Sequence, residues 1–353
     1  MTKVIVAYTD PSWALGETAA DSGAGADRGD DARDAVERDV FGAAAEIRLG
    51  LPREDGEEGF ETSGPRFRDW LRTADAVVVH RARLTGDLIA ALADAGRCKV
   101  VARQGVGTDN IDLAALRELR IPSFHVPDYC IQETADHALA LMLALERGIC
   151  TQDRIIRRGQ WDTRADRAPR RLGGSTLGII GFGRIGSAVA RKASLFYGTV
   201  LAYDPAVHPD AITAHGVRPT DTLQELLGQS DTVTVHASLD DTTEGLIDRH
   251  LLRHARPGAL LVNTARGRLV DPAAVLDALG SGLLGGYATD VYAPEDPADD
   301  PTNQRLALHE RVVSTCHRGF LSQDSDLSLR RRVATEIRHV LSTGTPPRYG
   351  RLT

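Results

Sequence analysis

Three short stretches of this chain end in the residue types that reduction of a carbonyl would require. Leu260-Leu261-Val262-Asn263-Thr264-Ala265-Arg266-Gly267 is an apolar run closing in a polar turn with Arg266 at its tip. Gly286-Tyr287-Ala288-Thr289-Asp290-Val291-Tyr292-Ala293-Pro294-Glu295 closes in acids, and Val312-Val313-Ser314-Thr315-Cys316-His317 closes in a histidine. Read as strands, all three deliver a polar group at a carboxyl end, where open α/β sheets bind ligands. Taken singly, each residue also has an ordinary explanation: Arg266 as a surface turn residue, Glu295 as a solvated acid, His317 as a satisfied core histidine.

A fourth stretch points to a cofactor. The apolar run Leu177-Gly178-Ile179-Ile180 leads into Gly181-Phe182-Gly183-Arg184-Ile185-Gly186 and then into the helical pattern of Ser187–Ala193. Strand, glycine turn and helix in this order suit a dinucleotide. Gly181 allows the tight turn, Gly183 lets a pyrophosphate approach the backbone, and Gly186 permits close packing of helix on strand, with the helix N-terminus facing the phosphates. Eighteen residues after Gly186, past the strand Val200–Tyr203, stands Asp204. An acid there accepts hydrogen bonds from the ribose hydroxyls and repels a 2′-phosphate, so NAD is expected over NADP. An Asp204-Pro205 turn is compatible with that role.

To position such groups the chain must supply sheets and helices, and its 353 residues are enough for about two domains. With 42% apolar and 26% charged residues it is an ordinary globular protein, which excludes collagen-like and wholly disordered classes. The apolar stretch Ala138–Leu145 falls short of the ~18 residues of a membrane helix, and Met1–Val6 runs straight into a strand. A cytoplasmic protein without signal peptide or membrane partner is expected. Cys98, Cys130, Cys150 and Cys316 show no Cys-x-x-Cys spacing, so neither a metal site nor a disulfide framework is indicated. The bases are 39 Arg and 3 Lys, a bias ascribed to genome composition, and the net charge of −7 argues against a nucleic-acid partner. Residues 1–62 hold 15 acids and 6 bases, so the acidic excess is local.

Along the chain, Val4–Tyr8 reads as a first strand and the Gly/Ala/Asp-rich segment Leu15–Asp34 as a flexible surface insertion, too poor in large apolar groups to offset ordering entropy. From Asp69 the pattern alternates: helix at Trp70-Leu71, strand at Ala76–Val79, helix at Leu88–Leu92, strand at Val100–Ala102. Such alternation predicts a parallel sheet covered by helices. Glu133–Arg147 has the spacing of a long buried helix, Arg154–Arg171 reads as a polar connection, and a second series opens at Leu177. A final helix over about Gln323–Leu341 carries Arg330-Arg331-Arg332, read as a solvated face.

At this point the sequence resembles the D-2-hydroxyacid dehydrogenase family, over about Ala76–Thr343, and within it the branch of C-terminal binding proteins. The order Arg266, Glu295, His317 is similar to the family's catalytic order. Further matches are Arg103-Gln104-Gly105-Val106-Gly107-Thr108-Asp109-Asn110-Ile111-Asp112, Val126-Pro127-Asp128-Tyr129-Cys130 and Glu133-Thr134-Ala135-Asp136-His137-Ala138-Leu139. The resemblance implies that Arg266 grips the substrate carboxylate and carbonyl oxygen, that His317 protonates that oxygen as hydride reaches C2, and that Glu295 holds the imidazole and favours its charged form. It implies that the backbone of Gly105-Val106-Gly107 holds the carboxylate, that Asp290 meets the nicotinamide carboxamide, and that Thr134, His236, Thr264, Ala265, Arg184 and Ile185 line the NAD site. Tyr287 is read as sheet core.

The implied architecture is α/β: two doubly wound Rossmann-like domains with a cleft between them. A flavodoxin-like substrate domain is formed by residues 1–127 and 319–353, an NAD-binding Rossmann domain by 128–318. A homodimer through the NAD-binding domain is implied, with the Glu133 helix and the Arg154–Arg171 arm as contacts. Departures from the family pattern bear on specificity. Cys316 and Arg318 flank His317 where Pro and a small residue are usual, and Phe320 stands where the C-terminal binding proteins carry Trp. A formate dehydrogenase of the family would have Gln at Glu295. Arg318, Arg103 and Arg81 or Arg83 either meet at the substrate, which would then bear a second anionic group (phospho-, phosphono- or dicarboxylic), or reflect the abundance of Arg. The alternative class is an NADH-sensing, corepressor-like protein with little turnover.

Overall fold

The computed structural model describes residues 3–11, 13, 33–55, 57, 59–165 and 167–353. The insertion expected at Leu15–Asp34 lies, but for its last two residues, outside them. Runs of consecutive apolar residues become strands buried on both faces, as parallel sheets require. In β3 (Ala76–Val79) every residue is buried. The chain divides into two compact units, Met1–Tyr129 with Gln323–Thr353, and Cys130–Ser322.

In the first unit, β1 (Val4–Tyr8), β2 (Ala45–Leu49), β3, β4 (Val100–Arg103) and β5 (Ser123–His125) form a parallel sheet of order β2-β1-β3-β4-β5 among the described residues. This is the flavodoxin-like order. The pleat sends Val6, Tyr8, Val78 and Ala102 toward the helices Ala35–Phe41 and Gln323–Thr343. It sends Ala7, Val77, Val79 and Val101 toward Gly64–Arg72, Gly86–Ala95 and Leu113–Glu118. Beyond the final helix the chain returns antiparallel along β5, with His125 N–H donating to Gly350 O (3.0 Å) and Leu352 N–H to Ser123 O (2.9 Å).

The second unit holds β6 (Thr176–Ile180), β7 (Thr199–Tyr203), β8 (Arg218–Pro219), β9 (Thr232–Val235), β10 (Ala259–Asn263), β11 (Leu284–Thr289) and β12 (Val312–Ser314). Their order is β8-β7-β6-β9-β10-β11-β12, again all parallel, with the reversal of direction between β6 and β9. That is the doubly wound Rossmann order, whose crevice opens at the carboxyl ends of the two strands flanking the reversal. The helix Ile131–Arg147 buries Ala135, Ala138, Leu141 and Met142 against the helix Arg184–Ala193 and the strands β10 and β11.

Two expectations need correction. The stretch from Arg154 is not wholly a polar connection, because a helix spans Ile149–Arg157 and buries Ile155. The arginine run of the final helix is not one solvated face, since consecutive helical residues point about 100° apart. Arg330 is buried, forked onto the Glu37 carboxylate (2.6 and 3.0 Å), with its guanidinium 3.8 Å from the centre of the Trp13 ring. Arg331 meets Asp39, and Arg332 meets Asp128 beneath the Tyr349 ring. No helix among the described residues is long and apolar enough to cross a membrane.

Candidate active site

In the second unit the glycine turn leaves β6 at Gly181, whose φ is +88°. The turn lies tight against the end of β9: His236 N–H donates to Ile180 O (2.7 Å), and a methyl on Gly181 would lie 2.6 Å from Ala237 N. A methyl on Gly186 would overlap the Gly181 carbonyl oxygen, whereas one on Gly183 would meet nothing within 4 Å. Among the described residues no side chain caps the helix Arg184–Ala193, which follows Gly183 and includes Ile185, so its first-turn N–H groups remain available to an anion. Asp204 is fastened to this turn, accepting from Phe182 N–H (2.7 Å) and from Ala206 N–H (2.9 Å). It is thus both the opener of the Asp-Pro turn and an acid beside the glycines.

Around the same sheet edge, Thr264 has a buried hydroxyl without a hydrogen-bond partner among the described residues, and Ala265 N–H donates to Asn263 Oδ1 (3.0 Å). His236 is held by Thr234 Oγ1 at 2.9 Å, and burial pushes its pKa down to about 3, so that the ring is neutral. Thr134 sits buried in the first turn of the helix Ile131–Arg147, its hydroxyl 3.6 Å from Cys130 Sγ. An open glycine, an uncapped helix start and an orphaned buried hydroxyl fit a dinucleotide.

The register of the sheet aligns Asn263 with Thr289 and Thr289 with Ser314, so three segments leave it at one level. Asn263, fully buried at the end of β10, fixes the first: its Nδ2 donates to Arg266 O at 2.8 Å. Arg266 Nη1 in turn donates to Ala265 O (2.7 Å). Gly267 packs so closely on the Tyr292–Ala293 backbone that a methyl would overlap it, which joins the Arg266 turn to the segment bearing Glu295. The third segment brings His317 Nδ1 to 2.8 Å from Glu295 Oε1. An ionised carboxylate only accepts, so Nδ1–H donates and Nε2 is left to exchange a proton with a ligand. The imidazole is a quarter exposed, and Phe320 meets it edge-on at 6.2 Å.

Asp290 is buried one residue past β11. Burial pushes its pKa up, and hydrogen bonds from His137, Thr315 and the Arg318 and Gly319 N–H groups outweigh this, holding it below the ordinary carboxylate range. Arg318 is exposed, and Tyr287 is core at 3% exposure.

Arg81, Arg103 and the loop Gly105-Val106-Gly107 belong to the first unit. That loop follows β4 and is built on hydrogen bonds: Gln104 N–H to Val79 O (2.8 Å), Val126 N–H to Gly105 O (3.3 Å), and His125 Nδ1 to Val106 O (2.7 Å). Arg103 bonds Asn110 Oδ1 (3.1 Å) and Gln104 O, making it a strut of the loop. The Asp10 carboxylate accepts from the N–H groups of His80, Arg81 and Ala82 (3.1, 2.6 and 2.7 Å), while the Arg81 and Arg83 side chains face solvent. Asn263, Asp10, Asn110 and His125 are not marked as site residues by the sequence because they act on backbone groups near a site, and His137 and Thr315 are unmarked because they meet the Asp290 carboxylate only in the folded unit. The one signal was a polar residue closing an apolar run, as at Asn263.

Residues 139–319 match the family described as D-isomer specific 2-hydroxyacid dehydrogenase, NAD binding domain. The chain is similar to D-3-phosphoglycerate dehydrogenase of Methanocaldococcus jannaschii, 34% identical over 297 residues, which cover 84% of this chain and 53% of that protein. It is also similar to D-3-phosphoglycerate dehydrogenase of Mycobacterium tuberculosis H37Rv, 37% identical over 269 residues, 76% of this chain and 49% of that one. The chain thus spans about half the length of these curated relatives. Its fold is similar to that of D-lactate dehydrogenase from Aquifex aeolicus, solved with NAD and lactic acid, at a TM-score of 0.79, 24% identity and 96% coverage of both chains.

Proposed function

The chain belongs to the D-2-hydroxyacid dehydrogenase family, and from that premise we propose that it interconverts a 2-oxo acid and a D-2-hydroxy acid with NAD as cofactor. The observation that carries this reading is the 2.8 Å hydrogen bond between His317 and Glu295, on the sheet edge that also bears Arg266 and the glycine turn. NAD supplies or takes up the hydride. Arg266 holds the carboxylate and the carbonyl oxygen with its planar fork and offsets the charge that develops on that oxygen. His317 gives its Nε2 proton to the oxygen in reduction and recovers it in oxidation. Glu295 keeps Nδ1 protonated and the ring oriented. The N–H groups of Gly105-Val106-Gly107 bind the carboxylate. Asp204 takes the ribose hydroxyls, and Thr264, with Thr134, His236 and Ala265, lines the dinucleotide.

The substrate carries a second anionic group on this proposal. Relatives named D-3-phosphoglycerate dehydrogenase support it, as do the solvent-facing Arg81 and Arg83 beyond β3 and the exposed Arg318 beside His317. The protein acts in the cytoplasm as a homodimer through its second unit. The helix Ile149–Arg157 and the stretch to Arg171 expose Ile149, Ile156 and Trp161, the last at 86%, and sedimentation equilibrium measures the mass. A panel of neutral, dicarboxylic and phosphorylated 2-oxo acids, followed by loss of nicotinamide absorbance from NADH, tests the activity. Turnover of none of them overturns the whole reading. Preference for neutral aliphatic acids removes only the second anionic group.

A further inference from the structure

Three consecutive backbone N–H groups, those of His317, Arg318 and Gly319, all donate to one residue. Asp290 receives them on its carbonyl oxygen (2.7 Å), on Oδ1 (2.9 Å) and on Oδ2 (2.7 Å). Two of them, those of Arg318 and Gly319, close on the carboxylate, and successive N–H groups closing on an oxyanion form a nest, a device that fixes backbone around negative charge. Here the anion is part of the protein. The turn it fixes is an uncommon one: His317 has φ +48°, a left-handed conformation that a non-glycine residue keeps only where its surroundings over-determine it.

The carboxylate is itself held from behind. Thr315 Oγ1 donates to Oδ1 at 2.6 Å, and the same hydroxyl lies 2.9 Å from His137 Nε2 on the long helix of this unit. With its only hydrogen committed to Asp290, Thr315 Oγ1 accepts from Nε2–H. His137 Nε2 is also 3.3 Å from Oδ1. On the main chain, Asp290 N–H donates to Asn263 O (3.0 Å), tying the group to the strand that sets Arg266. A carboxylate offers about four acceptor positions. Those on Oδ1 are filled and one on Oδ2 is used, and a methyl on Gly319 would press to 2.9 Å from Oδ2.

We infer that Asp290 is a positioning residue for His317: it binds the three N–H groups of the His317–Gly319 turn and so aims the imidazole, while Thr315 and His137 hold its carboxylate in place. This role is additional to the carboxamide contact that family resemblance implies for Asp290, and it rests on the proton-transfer role proposed for His317.

Thr315→Val, Thr315→Ser and Asp290→Asn in the full chain test it. Thr315→Val is expected to lower kcat about 10-fold and Asp290→Asn roughly 100-fold, the scale of a misplaced catalytic group. The Kd for NADH, from nicotinamide fluorescence, stays within about twofold in Thr315→Val, because affinity for the cofactor does not depend on how His317 is aimed. Thr315→Ser, which keeps the hydroxyl, restores kcat. In histidine-labelled protein without cofactor, the His317 imidazole resonance, identified by its loss in His317→Gln, shifts or broadens in Thr315→Val and is unmoved in Thr315→Ser. The inference is overturned if Asp290→Asn keeps kcat at saturating NADH, or if Thr315→Val leaves both kcat and the resonance unchanged. Should Asp290→Asn not fold, the two Thr315 variants decide. Should the wild type turn over no 2-oxo acid, the proposed function fails, and the resonance alone judges the turn.

Discussion

Each of the two side chains assigned to the substrate carries a separable part of the chemistry. His317→Ala is expected to lower kcat at saturating substrate by about 10²–10⁴, the usual contribution of a positioned acid, with NADH binding kept. Arg266→Lys keeps the charge and loses the fork. A lost charged hydrogen bond of ~1.5–3 kcal/mol corresponds to about 10- to 100-fold in kcat/KM, which steady-state kinetics reads directly. His236 makes a different expectation, one of stability. Its folded pKa of about 3 lies below the 6.5 of an exposed imidazole, so below pH 6.5 the unfolded chain takes up a proton that the folded chain refuses. That contribution is complete above pH 6.5 and is progressively lost as the pH falls, by about 2 kcal/mol at pH 5. Urea midpoints at pH 7 and pH 5 should therefore differ less in His236→Gln than in the wild type.

Elements were legible in the sequence where a local signal had one cause. Val4–Tyr8, Ala76–Val79 and the glycine turn after Ile180 could be read because an apolar run broken by glycine or a polar turn leaves little choice but a buried strand and its exit. The burial of Arg330 is not legible locally because it depends on Glu37 and Trp13, about 300 positions away, which no local pattern announces. His137 and Thr315 stayed invisible for a related reason: their partner is Asp290, and the pairing exists only once a helix and two strand ends are packed. The Arg330–Glu37 pair gives its own expectation. Removing one member leaves a buried charge alone, so Arg330→Met should cost about 3 kcal/mol in urea unfolding, and adding Glu37→Leu should recover most of the loss.

For the whole molecule, the residues assigned to NAD fall within one continuous unit, residues 130–322. NADH at 100 times its Kd should stabilise the folded protein by about 2.7 kcal/mol, seen as a rise in Tm. NADPH at equal concentration should give a much smaller rise, because Asp204 meets its extra phosphate. Equal rises would remove Asp204 from discrimination. The other unit is discontinuous in sequence, since the face of its sheet bearing Val6, Tyr8 and Val78 is covered by Leu329, Val333 and Ile337 from the final helix. On the ribosome this separation becomes time. At ~5–20 residues per second, the intervening stretch of about 190 residues takes roughly 10–40 s to emerge. Throughout that interval the nascent chain displays a greasy sheet whose lid has yet to be translated, a stretch of synthesis in which a chaperone has something to hold.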